Sequence, residues 1–182
     1  MEVKQSDPLS VINTLCLGEF NGIQEMRFDL VKLSQEEKKR LNLGSMNHVV
    51  FWDSAPIFVV STFTIIGADV NHDSATVNVL FDVILNAKGE GNGNRVFVKK
   101  CAKEKVKYNL IKTNGKWFIS DPPKPVVSIE MIIKYYKYEV KSTPKNIWDK
   151  EKYSEQQRAY FKKFGNDLNF LKNIYNNADY CK

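Results

Sequence analysis

Long apolar runs are missing from this sequence. The strongest, residues 49–52 and 57–60, cover only a few positions, whereas a helix that crosses a bilayer needs ~18 or more in a row. No membrane span is therefore expected. Cysteine is also scarce: Cys16, Cys101 and Cys181 share no metal-ligand spacing and leave one thiol over, which argues against a disulfide framework. Cys16 lies in an apolar helical pattern and reads as a small core residue. Pairing of Cys101 with Cys181 would need an oxidising compartment. The two histidines, His48 and His72, form no ligand pattern, and His72 reads as part of a solvated turn. No metal and no cofactor is expected. The glycine-rich "KGEGNGN" at 88–94 lacks the Lys-Ser/Thr ending and the following helix of a phosphate loop, so it reads as a connection. "MEVKQSDP" holds no basic leader followed by an apolar segment. The expectation is a cytoplasmic protein, or an exported one if a leader precedes these residues. No internal repeat or low-complexity segment stands out.

What is present is ordinary globular material, 182 residues with 43% hydrophobic side chains, enough for one domain and an appendage. The formal charge of +6 is unevenly spread. Residues 1–94 carry 7 Lys+Arg against 12 Asp+Glu, and residues 95–182 carry 20 against 9. Such polarity can steer an acidic partner or nucleic acid toward the basic half, but it does not decide the fold.

Asp7-Pro8 reads as a helix N-cap followed by proline at the first helical position, with Leu9, Ile12, Leu15, Cys16 and Phe20 at helical spacing before Gly22. Ser34-Gln35-Glu36-Glu37 is a capping box for a second, shorter helix that stops near Gly44. From Val49 the composition turns β-branched and aromatic. Strands are predicted over 57–66, 75–87 and 96–113, with 67–74 as a loop, and Asn114-Gly115 turns the chain into a strand over 116–120. Three prolines within 121–125 mark the end of the sheet. Ser128 caps a helix to about Tyr138 that is apolar nearly all round. After a break at Ser142-Thr143-Pro144, the capping box Ser154-Glu155-Gln156-Gln157 opens a last helix with Phe161, Phe164, Leu168, Leu171 and Tyr175 as its apolar seam. The fold class predicted is α+β: N-terminal helices packed on a curved antiparallel sheet, with a C-terminal helical extension, divided as 1–140 and 141–182.

An Asn-Gly loop favours a type I′ turn and so fixes the hairpin register, with Thr113 facing Lys116, Lys112 facing Trp117, and Leu110 facing Ile119. One face then carries Tyr108, Leu110, Trp117 and Ile119; the other carries Lys107, Asn109, Ile111, Phe118 and Ser120. The preceding strand sorts the same way, with Val77, Val79, Phe81, Val83 and Leu85 inside and Asn78, Leu80, Asp82, Ile84 and Asn86 outside.

The pattern resembles the nuclear-transport-factor-two and ketosteroid-isomerase-like superfamily. "DPLSVINTLCLGEFNG" is similar to that superfamily's opening helix, and "KVKYNLIKTNGKWFISD" to its closing hairpin. The resemblance implies a cone-shaped cavity between helices and sheet, used by different members for catalysis, ligand binding or protein contact. No catalytic set carries over, and the tail after Pro144 exceeds the superfamily's minimal domain.

Three functions follow as expectations. The first is a non-enzymatic binding or interaction module with an apolar interior, in which Phe81, Tyr108, Trp117 and Asp121 are pocket candidates for a small apolar ligand. Its outer face, through Leu80, Ile84, Ile111 and Phe118, would bury a second copy of the chain or another protein. The second is an isomerase- or hydratase-like enzyme with the Tyr108 hydroxyl as donor and Asp53 or Asp121 as base. The third is an anion or nucleic-acid binder. Lys99, Lys103, Lys105 and Lys107 share one strand parity and, with Arg95, Lys100, Lys112 and Lys116, are opposed over 95–116 only by Glu104. Nucleic acid is the less expected partner, because stacking aromatics and arginines are missing from that lane.

Overall fold

Asp7 starts the first helix as its side chain dictates. One carboxylate oxygen accepts from the Ser10 N–H at 2.9 Å and from the Ser10 hydroxyl at 2.8 Å, and helix α1 runs Pro8–Asn21. Val11, Ile12, Leu15 and Cys16 form its buried face, whereas Leu9, placed on that face by sequence spacing, is exposed. The computed structural model describes residues 5–21, 30–32, 57–91, 94–121, 126–149, 151–177 and 179–182. The predicted helix after Ser34, the strand start at Val49, His48 and Asp53 lie outside these residues.

The chain divides into two compact units, Met1–Ser128 and Ile129–Lys182. The first holds α1 and a curved, mixed sheet of five strands: β1 Ile57–Asn71, β2 Ser74–Gly91, β3 Asn94–Thr113, β4 Lys116–Ile119 and β5 Val126–Ser128, in the order β4-β3-β2-β1-β5. All neighbours are antiparallel except β5, which runs parallel to β1. The prolines therefore do not end the sheet, since three residues after them return to its far edge. The predicted loop at 67–74 also shrinks, because Gly67 to Asn71 pair with Asn78 to Ser74, leaving only His72-Asp73 as the turn. "KGEGNGN" likewise contributes to the ladder at Gly89 and Gly91. Polar and glycine-rich composition signals a loop, but a long neighbouring strand supplies partners that hold such residues extended.

Bulges interrupt β1 near Val60 and between Ile65 and Gly67, and β3 opposite Ile84. Bulges bend and twist a sheet locally. Helix α1 packs on β1, β2, β4 and β5. The core beneath it joins Val11, Ile12, Leu15 and Cys16 to Val77, Val79, Phe81, Val83, Tyr108, Leu110, Trp117 and Ile119.

The second unit is a helical pair, α2 Ile129–Ser142 and α3 Glu155–Asn176. Helix α2, predicted in the sheet domain, belongs with the tail, and one face of it is buried rather than the whole circumference: Ile129, Met131, Ile132, Ile133 and Tyr136 are inside while Tyr138 is exposed. Ser154 and Gln157 form the predicted capping box on α3. The seam runs through Phe164, Leu168 and Leu171 but ends on Ile174; Tyr175 is exposed. Tyr136 and Phe164 meet with ring centroids 5.2 Å apart.

Candidate functional site

The Asn114-Gly115 turn has positive φ at both residues, 51° and 76°, the backbone demanded by a type I′ turn. Its register is the predicted one, with Leu110 paired to Ile119, Ile111 to Phe118, Lys112 to Trp117 and Thr113 to Lys116. The two faces follow. Phe81, Tyr108 and Trp117, the aromatic pocket candidates, are buried together in the apolar core at 0%, 2% and 3% exposure. Phe63 tilts against Phe81 with centroids 6.3 Å apart.

Asp121 does not join them. Its carboxylate accepts from the Asn109 side-chain amide, and the Asn109 side-chain oxygen accepts from the Thr76 hydroxyl at 3.2 Å. Asn109 and Thr76 lie on the outer face, so Asp121 is held on the opposite side of the sheet from Tyr108. Sequence parity already put Asn109 outside; the swing of Asp121 past the strand end was not readable from it. His72 is exposed in the β1–β2 turn with φ of 47°. Among the described residues, no three His, Cys, Asp or Glu side chains gather as metal ligands. No described helix is long and apolar enough to cross a membrane.

On the outer face, Leu80, Ile84, Ile111 and Phe118 are each half-buried, and Val96 and Val98 are exposed at 37% and 46%. Asn78 and Asn86 share this face, and each has a buried side-chain oxygen with no hydrogen-bond partner among the described residues. The alternating Asn of β2 was the only sequence sign of them.

The lysines sort by backbone geometry. Lys103, Lys105 and Lys107 pair with Asp82, Leu80 and Asn78 and share the outer face. Lys99 does not join this lane: it pairs with Leu85, whose side chain is buried on the inner face. The cause is the bulge at Lys100-Cys101, where Cys101 has φ of 48° and one extra residue reverses the parity. Other members of the basic run have structural uses. Arg95 is buried. Lys100 pairs with Glu104 at 2.7 Å and lies 4.7 Å over the Phe58 ring, and Lys112 lies 5.7 Å over Trp117. What remains is Lys116 beside the turn and, along β3, an exposed lane of Lys103, Lys105 and Lys107, with Asp82 only loosely engaged with Lys103 at 3.9 Å.

In the helical unit, Lys163 binds Asp167 at 2.7 Å. Burial raises the Asp167 carboxyl above its ordinary 3.8, and Lys163 opposes that rise. Tyr175 donates to the Glu130 carboxylate at 2.8 Å, which raises the phenol above its usual range. Cys16 is fully buried in the apolar core under α1. Comparison with known protein families, with curated proteins and with solved structures found no match.

Proposed function

We propose that the chain is a non-enzymatic interaction module of nuclear-transport-factor-two-like form that binds through the outer face of its sheet, a second copy of the chain being the first partner. One observation carries this reading. The aromatic set that would line an active site is buried in one apolar core, and the carboxylate closest to it in sequence logic, Asp121, is tied to Asn109 on the other side of the sheet. An isomerase-like enzyme needs a base within hydrogen-bond reach of the donor's site, and this arrangement separates Asp121 from Tyr108.

The outer face supports the binding role. Leu80, Ile84, Ile111 and Phe118 stand half-buried among Asn and Lys, a mixed apolar and polar surface of the kind that interfaces use. The double variant Ile84→Asp, Phe118→Asp places two charges in this patch without entering the core. It should convert a dimer to a monomer on size-exclusion chromatography while leaving the circular dichroism spectrum unchanged. A dimer that survives both charges would remove the outer face from the account.

A further inference from the structure

Strand β3 is much longer than its neighbour β4, which pairs only with Leu110 to Thr113. Among the described residues, no strand continues along that side of β3 below Asn109. Among the described residues that side of β3 is therefore an open edge, and its composition is unusual: Lys103, Lys105 and Lys107 lie along it, all exposed.

Backbone direction can be assigned there. The Asn109 carbonyl accepts from the Ser120 N–H at 2.9 Å, on the β4 side, while the Lys112 N–H donates to the Asp73 carbonyl at 2.8 Å, on the β2 side. The two groups of each residue point the same way and alternate along an antiparallel strand. The β2–β3 register is unbroken from Ile111 back to Ala102. Lys103, Lys105 and Lys107 thus share the parity of Asn109, and each presents its N–H and C=O to the open edge. Each also presents an ammonium on the outer face.

We infer that this edge binds an extended acidic peptide segment as an added antiparallel strand, with Asp or Glu at every second position facing Lys103, Lys105 and Lys107. Main-chain bonds supply the ladder, and the cross-strand ion pairs choose the sequence. The choice of partner rests on charge. Lysines on an edge repel a basic strand or a second copy of this edge and disfavour a neutral one, which would desolvate their charge without pairing it, yet the same three favour a strand whose carboxylates match their spacing of about 6.8 Å, two residues along a strand. A nucleic-acid strand would use the ammonium groups but leave the outward N–H and C=O groups unmatched.

The inference rests on reading the sheet as an interaction surface, but it concerns the edge rather than the face. A fluorescein-labelled peptide of alternating glutamate and threonine is titrated by anisotropy at low salt. It is compared with a block peptide of the same composition, an alternating peptide N-methylated at every second residue, and an oligothymidylate of equal charge. The alternating peptide is expected to bind best and the N-methylated one to fail. Lys103→Gln, Lys105→Gln, Lys107→Gln together should weaken binding about tenfold, with an unchanged circular dichroism spectrum because all three side chains are exposed. Equal binding of the block peptide or the oligonucleotide would overturn the inference in favour of an undirected anionic contact, and absence of binding by the alternating peptide would overturn it outright. Light-scattering mass on the same samples separates the two readings: a dimer that ignores the peptide defeats the edge alone, and a monomer that binds it defeats the dimer alone.

Discussion

Single side chains set several measurable properties of this protein. Asp167 illustrates a carboxylate whose burial outweighs its partner: the fold holds the proton to higher pH than the unfolded chain does, so this residue's contribution to stability falls as pH rises through the window above 3.8. Asp167→Asn removes the cost of the buried charge and keeps an acceptor for Lys163. Urea denaturation should show the variant at least as stable as the parent at pH 7, with any advantage gone at about pH 3, where the parent's carboxyl is protonated. Cys16 gives a second test. Its thiol should be unreactive toward a thiol reagent in the folded protein, because Cys16 is fully buried, and should become reactive on denaturation; modification of Cys16 in the folded state would contradict its place in the core.

Elements depend on positions where one residue type is required. Gly115 has φ of 76°, a region that costs an L-residue with a Cβ about 1 to 2 kcal/mol. Gly115→Ala should lower unfolding free energy by about that amount in chemical denaturation. Ser154→Ala removes the side-chain acceptor for the Gln157 N–H and should cost about 1 kcal/mol. These two elements were legible beforehand for the same reason: Asn-Gly demands a particular turn, and a Ser-x-x-Gln box demands a helix start. The alternation of Val77, Val79, Phe81, Val83 and Leu85 fixed the inner face equally well, and all five are buried. What escaped reading was backbone behaviour without a residue signature. The bulge at Lys100-Cys101 that moves Lys99 off its lane involves no glycine or proline. Strand β5 has three residues, too few to show a period of two. Leu9 shows the limit of helical spacing, since Val11 takes the buried place that spacing gave to Leu9.

At the scale of the molecule, one unit has a strongly apolar inside and a mixed outside. Phe81 anchors that interior at 0% exposure. Phe81→Ala should cost about 3 to 5 kcal/mol in urea denaturation, as large core truncations do. Tyr108 lies inside the sheet and Asp121 is held outside it, which supports the proposed binding role. The proposal puts that binding on the half-apolar outer sheet face, and self-association is its most direct consequence. Multi-angle light scattering on the intact chain across a wide concentration range reads this directly. A mass of twice the chain's 21.0 kDa, lost in the Ile84→Asp, Phe118→Asp variant, is the predicted result; a mass of 21.0 kDa at every concentration would contradict the account.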